Sequence, residues 1–181
     1  LKAITVAAVG TNHIDLEYAE KKGIRVTNAP GMNSNTVAEL TVSKMLDLAR
    51  NTIPANNTVK EQHCWNKYVW TGIELKGKVL GIIGLGKIGT RVVELLRGFD
   101  MKVIAYDPFL EDKEFARRGA NKVTLEELLE KSDVISLHLP LNNETRGMIS
   151  YAEFDRMKEG AILLNMARGG IMDEDAAYSN L

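Results

Sequence analysis

A glycine-rich hexapeptide is the pattern with the most chemical content in this chain. It reads Gly84-Leu85-Gly86-Lys87-Ile88-Gly89 and follows an apolar run, Val79–Ile83, that predicts a strand. A helical pattern comes next. In a strand–turn–helix context Gly84 allows the tight turn, Gly86 lets the backbone approach a pyrophosphate, and Gly89 lets the helix pack close to the strand. The helix N-terminus then offers free N–H groups to phosphates. The alternative is a plain glycine turn between a strand and a helix.

An acidic residue, Asp107, ends the next predicted strand, roughly twenty residues after the glycines. A carboxylate at this place hydrogen-bonds the adenosine ribose hydroxyls of a dinucleotide and repels a 2′-phosphate. The alternative is a strand-end aspartate that caps the next turn together with Pro108. Combined with the glycines, Asp107 favours NAD over NADP as the cofactor.

A third segment, Asn165-Met166-Ala167-Arg168-Gly169-Gly170, follows the apolar run 161–164. Ligands of doubly wound sheets bind outside the carboxyl ends of the strands. An arginine there can hold a carboxylate through two parallel hydrogen bonds. Taken alone, however, the segment is more typical of a surface arginine after a buried strand.

The histidines do not suggest an acid–base pair. His138 lies within an apolar run at a strand end, before Leu139 and Pro140, so we expect it to be structural or to line a cofactor pocket. His13 lies in a turn and His63 in a polar connector. Neither has an acidic partner at motif spacing.

Strands and helices alternate along most of the chain, which predicts an α/β fold with a doubly wound parallel sheet and helices on both faces. The predicted strands are 4–9, 24–26, 79–83, 102–106, 122–123, 134–139 and 161–164. The predicted helices are 15–22, 34–50 (capped by Ser34 or Asn35), 88–99, 111–118, 125–130, 151–157 and one from Glu174 onward.

The segment 54–72 has no clear period and carries three large aromatic residues, Trp65, Tyr68 and Trp70. Aromatic residues in an otherwise polar connector are typical of an arm that packs on another surface, such as a second subunit. A loop that folds back on its own domain explains them equally well.

Bulk composition narrows the function. The chain has 181 residues, 45% hydrophobic and 26% charged, with a formal net charge of -1, which does not favour nucleic acid or an anionic membrane as a partner. A lone cysteine, Cys64, allows no intramolecular disulfide and fits a cytoplasmic protein; it has no second thiol for a metal site. Apolar stretches are too short to span a bilayer. Because the chain starts at Leu1, without an initiator Met and directly before the predicted strand 4–9, we expect a trimmed product.

Together these residues resemble the D-2-hydroxyacid dehydrogenase family over nearly the whole chain. Asn12 departs from the aspartate that many members carry. The resemblance rests on segments in family order and spacing: 10–15, 23–24, Val26, 28–31, 37–39, Trp65, 72–78, 81–89, 107–108, 138–141 and 165–170. The Trp–Gly–Glu–Leu stretch and the Arg-Gly-Gly-Ile element are most similar to phosphoglycerate dehydrogenases.

The resemblance implies an NAD-dependent transfer of hydride between nicotinamide and C2 of a D-2-hydroxy or 2-keto acid, with 3-phosphoglycerate as one candidate substrate. It implies that Arg168 binds the substrate carboxylate and carbonyl, and that the acid–base histidine and its glutamate lie beyond Leu181. It implies that the cofactor site includes Gly84, Gly86, Lys87, Ile88, Gly89, Asp107, Pro108, His138, Leu139, Pro140, Met166, Ala167 and Arg168. No metal is expected.

The same resemblance implies the domain organisation. We expect residues 1–33 to be a fragment of a flavodoxin-like substrate domain and 34–74 an interdomain helix and arm. Residues 75–181 are then a C-terminally incomplete Rossmann domain, and the 54–74 arm forms a homodimer. Alternatives are an NAD-responsive transcriptional corepressor of the same family and a formate dehydrogenase. The Arg168 loop and the interdomain helix argue against a Rossmann domain for another nucleotide.

Overall fold

The computed structural model describes residues 1–11, 13–66 and 68–181. Asn12, the position at which the sequence departs from the family pattern, lies outside the described residues. None of the helices in the described ranges is both long and apolar enough to cross a membrane.

The first part of the chain forms a small parallel sheet. Strand β1 (Ala3–Thr5) pairs with β2 (Arg25–Thr27), and helix α1 (Leu16–Lys21) connects them. The carboxylate of Asp15 caps α1 by accepting a hydrogen bond from the backbone N–H of Tyr18 at 2.8 Å. Parallel pairing across a helical crossover is the unit that the sequence predicts for this region.

Two consecutive helices follow. Helix α2 (Ser34–Ala49) has the predicted bounds to within a residue. Its buried positions recur at helical spacing: Ala38, Thr41, Met45 and Ala49. Ala38, Met45 and Ala49 belong to a buried cluster of the main domain. Helix α3 (Thr52–Gln62) is an element that the sequence analysis missed. Its Pro54 lies in the first turn, where the missing N–H breaks no intrahelical bond.

The main domain is a five-stranded sheet with helices between its strands. In chain order its elements are β3 (Val79–Ile83), α4 (Lys87–Leu95), a 3₁₀ turn (Arg97–Phe99), β4 (Lys102–Tyr106), α5 (Asp112–Arg117), β5 (Asn121–Lys122), α6 (Leu125–Lys131), β6 (Val134–Leu137), α7 (Tyr151–Phe154), β7 (Ile162–Asn165) and α8 (Glu174–Ser179).

The sheet has the order β5-β4-β3-β6-β7 and every strand pair is parallel. From β3 the chain moves outward through β4 to β5. It then crosses back, and β6 lies on the other side of β3. The reversal places a topological switch point between β3 and β6, where doubly wound sheets bind their ligands. The predicted fold class is confirmed.

The two sheet faces carry separate apolar clusters, and neighbouring residues of β3 point to opposite faces. Ile82 belongs to the same buried cluster as Val92 of α4 and Met45 of α2, whereas Ile83 belongs to a second cluster with Ile135 and with Leu128 of α6. All are almost completely buried. The helix of the first part, α2, therefore covers one face of the main sheet.

Several predicted boundaries were wrong because tertiary pairing, and not local preference, ends the strands. The predicted strand 134–139 stops at Leu137, which pairs with Ile83, the last residue of β3. The predicted strand 4–9 stops at Thr5, the last residue that pairs with β2. Helix 88–99 divides into α4 and the 3₁₀ turn, and helix 151–157 ends at Phe154.

The aromatic connector folds back in part on its own chain. The Trp70 indole N–H donates to Thr58 Oγ1 at 2.9 Å, and the backbone N–H of Ile73 donates to the carbonyl of Ala49 at 2.7 Å. Trp65 and Tyr68 are instead 81% and 77% exposed. Residues 70–73 therefore match the alternative of a loop that folds back on its own domain. The exposed tip of the connector, at Trp65 and Tyr68, is compatible with the alternative of a contact to a second subunit.

Candidate functional site

The site is built around the turn between β3 and α4, and Gly84 makes that turn possible. Gly84 has φ +93°, a conformation that L side chains rarely adopt. A Cβ on it would come within 2.9 Å of the carbonyl oxygen of His138 and 2.8 Å of the Leu139 side chain. The turn therefore passes directly against the end of β6, which only a glycine permits.

Gly89 has the packing role expected from the sequence, and the surroundings of Gly86 are compatible with the role expected of it. A Cβ on Gly89 would overlap the carbonyl oxygen of Gly84 and touch Ile82, so Gly89 brings α4 against the turn. A Cβ on Gly86 would meet nothing within 4 Å, so open space lies above this residue. Lys87 and Ile88 follow in the first turn of α4, whose N–H groups have no acceptors within the helix.

Asp107 is hydrogen-bonded to the glycine turn. Its Oδ2 accepts from the backbone N–H of Leu85 at 3.0 Å, and its Oδ1 accepts from the backbone N–H of Phe109, also at 3.0 Å. The second contact is the turn cap that was the alternative to a ribose role. Each carboxylate oxygen has another lone pair, so the carboxylate keeps capacity for a ligand hydroxyl.

A cleft of about 570 Å³ borders this carboxylate. Asp107 and the exposed Pro108 line one side, and the segment from Lys122 to Glu127 lines the other. The cleft lies beside Asp107, the carboxylate expected to bind ribose hydroxyls, and this position suits the adenosine end of a dinucleotide.

The carbonyl of Leu85 is held from outside the turn, by two donors that the sequence analysis missed. The guanidinium of Arg118 donates to it at 2.6 Å and the hydroxyl of Thr90 at 3.2 Å. Arg118 stands 33 residues away, at the end of α5. No local sequence signal links it to the turn, and only the fold brings them together.

His138 lies between β6 and the glycine turn. Its backbone N–H donates to the carbonyl of Ile83 at 2.8 Å, and its Nε2 lies 2.9 Å from Ser136 Oγ. Burial lowers the pKa of His138 to about 4. The imidazole is therefore neutral at pH 7 and has no acidic partner in the described ranges. These features fit the expected structural or lining role.

Leu139 and Pro140 continue the chain past the end of β6. Leu139 packs close to Gly84, and the carbonyl of Pro140 accepts a hydrogen bond from the Thr145 hydroxyl at 2.6 Å. That bond holds the loop after β6 in place beside the turn.

The Arg168 loop follows β7 and is organised by Asn165. The Asn165 side chain accepts from the N–H of Ala167 at 3.1 Å and donates to the carbonyl of Arg168 at 2.9 Å. Arg168 is exposed, and its Nη1 donates to the carbonyl of Ala167 at 2.8 Å. No carboxylate pairs with it within the described part of the chain, so its guanidinium retains donors for a ligand. Met166 packs into the core that lies against α2.

The fold brings the predicted site residues to one edge of the sheet. The glycine turn, His138 and Arg168 follow the adjacent strands β3, β6 and β7, and two strand spacings of about 10 Å separate β3 from β7. Asp107, after β4, flanks the turn on the other side. His13 and His63 are exposed, and neither follows a strand of this sheet.

These features fit a dinucleotide. Gly86 has free space for a pyrophosphate, amide groups of a helix N-terminus follow it, and a strand-end carboxylate flanks it. Among the described residues no group of three or more histidine, cysteine or acidic side chains is placed to hold a metal ion.

Comparison with known proteins identifies the relatives of this chain. The family model for the NAD-binding domain of D-isomer specific 2-hydroxyacid dehydrogenases matches residues 42–181. A D-3-phosphoglycerate dehydrogenase of Archaeoglobus fulgidus is 43% identical over 98% of this chain and 34% of its own length. A hydroxypyruvate reductase of Thermotoga maritima is 42% identical over all of this chain and 58% of its own length.

Solved structures similar to this chain are also D-2-hydroxyacid dehydrogenases. D-lactate dehydrogenase from Aquifex aeolicus, complexed with NAD and lactic acid, is 40% identical and has a TM-score of 0.88 over 99% of this chain and 54% of its own. Apo D-lactate dehydrogenase from Escherichia coli gives 0.90 at 34% identity, over all of this chain and 57% of its own. The chain thus spans between a third and three-fifths of these relatives. The chain belongs to the D-isomer specific 2-hydroxyacid dehydrogenase family, and its residues 42–181 match the NAD-binding domain of that family.

Proposed function

We propose that the protein carrying these 181 residues is an NAD-dependent dehydrogenase that interconverts a D-2-hydroxy acid and its 2-keto acid. One observation carries the proposal: a glycine turn with open space at Gly86 and an exposed arginine, Arg168, lie at the same edge of one parallel sheet. The first suits a dinucleotide and the second a carboxylate. The alternative functions, corepressor and formate dehydrogenase, do not need a 2-keto acid to bind there.

In this proposal the residues of the turn hold the cofactor, which supplies the hydride acceptor or donor. The amides that begin α4 at Gly86, Lys87 and Ile88 face the pyrophosphate. Asp107 accepts hydrogen bonds from ribose hydroxyls, and its negative charge disfavours a 2′-phosphate. Pro108 lines the cleft assigned to adenosine, and Leu139 and Pro140 flank the turn on its other side, after β6.

Arg168 acts on the substrate. A planar guanidinium holds the substrate carboxylate and donates toward the C2 oxygen at the same time. The second contact strengthens as negative charge develops on that oxygen during reduction of the keto acid. The fixed loop conformation that Asn165 imposes reduces the freedom of the arginine backbone before substrate arrives.

We assign proton transfer to none of the three histidines of this chain. His138 has a pKa of about 4, far from the near-neutral value that suits a general acid–base catalyst. His13 and His63 are exposed, and neither follows a strand of the sheet that carries Arg168.

For the substrate we propose D-3-phosphoglycerate first, on the motif similarity to phosphoglycerate dehydrogenases. Identity alone does not separate the candidates, because the relatives named D-3-phosphoglycerate dehydrogenase and hydroxypyruvate reductase are 43% and 42% identical to this chain. We also propose a homodimer through residues 54–74, supported by the exposure of Trp65 and Tyr68.

The deciding experiment is NADH oxidation by the protein that carries this chain, with pyruvate, glyoxylate, hydroxypyruvate and 3-phosphohydroxypyruvate as oxidants. We expect turnover with at least one. Arg168→Lys keeps the charge but loses the planar fork, so it should lower kcat as well as raise KM. NADH binding without turnover of any keto acid would favour the corepressor alternative. Wild-type kcat/KM in Arg168→Lys would remove the arginine from the mechanism.

A further inference from the structure

The peptide groups on both sides of Leu85 are held by side chains from other elements. Its N–H donates to Asp107 Oδ2 at 3.0 Å, and its carbonyl accepts from Arg118 Nη1 at 2.6 Å and from Thr90 Oγ1 at 3.2 Å. The Leu85 side chain is completely buried. The middle of the glycine turn is therefore fixed at three points, one of them a charged donor.

Arg118 is itself anchored. It caps the end of α5, where its backbone N–H donates to the carbonyl of Glu114 at 3.0 Å. Its Nη2 donates to the Glu114 carboxylate at 3.1 Å, and Arg117 contacts the same oxygen at 2.6 Å. The guanidinium groups of Arg117 and Arg118 lower the pKa of Glu114, so this carboxylate is ionised at neutral pH. The side chain of Arg118 is only 23% exposed.

The carbonyl that Arg118 holds belongs to the same peptide group as the N–H of Gly86. A trans peptide is planar, and its C=O and N–H point in opposite directions. Fixing the Leu85 carbonyl toward Arg118 therefore directs the Gly86 N–H away from α5. Gly86 has no side chain and open space around its Cα, so the flanking peptides alone set its orientation. A positive charge on the carbonyl also polarises the group and makes its N–H a stronger donor.

We propose that Arg118 is a positioning residue for NAD, which sets the Leu85–Gly86 peptide in the orientation that receives the pyrophosphate. This inference rests on the cofactor placement given under Proposed function. Its effect is on cofactor affinity, and it acts through the turn without contact to the substrate.

The chain offers a matched control. Arg117→Met removes a guanidinium from the same Glu114 carboxylate but touches no part of the turn, whereas Arg118→Met removes the bond to Leu85 and keeps an apolar stem. NADH affinity is measured by fluorescence titration of the protein that carries this chain, with thermal unfolding of each variant alongside. ADP-ribose and adenosine serve as probes with and without a pyrophosphate.

We expect Arg118→Met to raise the Kd for NADH and for ADP-ribose by about 10- to 100-fold, the scale of one lost charged hydrogen bond. Arg117→Met should stay within about twofold, and Arg118→Lys, which can still donate to the carbonyl, should recover part of the affinity. Adenosine binding should not change. Amide hydrogen exchange over residues 85–88 should accelerate in Arg118→Met only.

Two results would overturn the proposal: equal NADH affinities in Arg118→Met and Arg117→Met, or an equal loss for adenosine and ADP-ribose, which would indicate a general disturbance of the site. Failure of the wild-type chain to bind NADH would instead contradict the cofactor placement itself.

Discussion

Asp107 and Leu85 are joined by a hydrogen bond of 3.0 Å between the carboxylate of a strand end and the backbone of the glycine turn. The residue expected to select the cofactor is therefore also part of the structure that holds the turn. The negative charge of Asp107 is expected to select the cofactor and its acceptor oxygens hold the turn, and substitutions can separate these two roles.

Asp107→Asn removes the negative charge and keeps one acceptor oxygen, which can serve the N–H of Leu85 or of Phe109 but not both, whereas Asp107→Ala removes the charge and both acceptors. We expect Asn to lower the preference for NADH over NADPH by about 1–3 kcal/mol. Ala should lower the same preference and weaken NADH binding more than Asn does. Titration of both variants with both cofactors tests this. Unchanged cofactor preference in Asp107→Asn would show that Asp107 caps the turn and does not select the cofactor.

Gly89→Ala should destabilise the fold, because its methyl group would overlap the backbone carbonyl of Gly84, which cannot move without opening the turn. A cost of about 1–3 kcal/mol is typical of overpacking, which lowers Tm by several degrees in a domain of this size. Gly86→Ala is the control, since its methyl group meets no atom of the protein. Equal melting temperatures for the two variants would show that the turn adapts to Gly89.

His138 should make the fold acid-sensitive. Its pKa is about 4 when folded, below the ordinary value of 6.5, so the unfolded chain binds the extra proton between these two pH values. Stability from this group is complete above pH 6.5 and is lost as the pH falls toward 4. Between pH 7.5 and 5 the loss is about 2 kcal/mol.

Urea unfolding of the wild type and His138→Gln at both pH values measures this difference, with the exposed His13→Gln as control. The wild type and the control should lose more stability on acidification than His138→Gln. An identical pH dependence in all three proteins would show that His138 is accessible to protons in the folded state.

The exposed aromatic tip should mediate association. Trp65→Ser removes an aromatic side chain that is 81% exposed at the tip of the arm, whereas Tyr178→Ser removes one that is 83% exposed on α8. If the arm joins two copies, sedimentation of the wild type should show a dimer that Trp65→Ser weakens at least tenfold and Tyr178→Ser does not. A monomeric wild type, or a dimer insensitive to Trp65, would contradict the arm assignment.

The part of the site that could be predicted from sequence depends on local rules. The roles of Gly84 and Gly89 follow from the short strand–turn–helix pattern, and their geometry here matches them. The parallel sheet followed from the alternation of strands and helices. Both patterns depend on residues that are close together in the chain, so they can be recognised without knowing the tertiary structure.

What could not be predicted depends on contacts across the fold. Arg118 reaches Leu85 over 33 residues, and nothing in the Arg117-Arg118 pair distinguishes one arginine from the other before α5 is placed. Strand ends at Thr5 and Leu137 are set by where the partner strand stops. Helix α3 was missed because its polar sequence and Pro54 show no apolar period, and no residue of this helix is buried.

The most direct test of the account is NADH titration of the 181-residue chain against Gly86→Val. Gly86 is exposed, has a backbone conformation open to L residues, and a Cβ on it meets no atom within 4 Å, so a valine side chain would extend into the space assigned to the pyrophosphate. Gly98→Val is the control, at an exposed glycine that is equally free of neighbours. We predict saturable binding by the wild type and Gly98→Val, and a loss of at least tenfold in affinity for Gly86→Val at unchanged melting temperature. Equal affinity in all three proteins, or no binding by the wild type, would contradict the assignment of this turn as the NAD site.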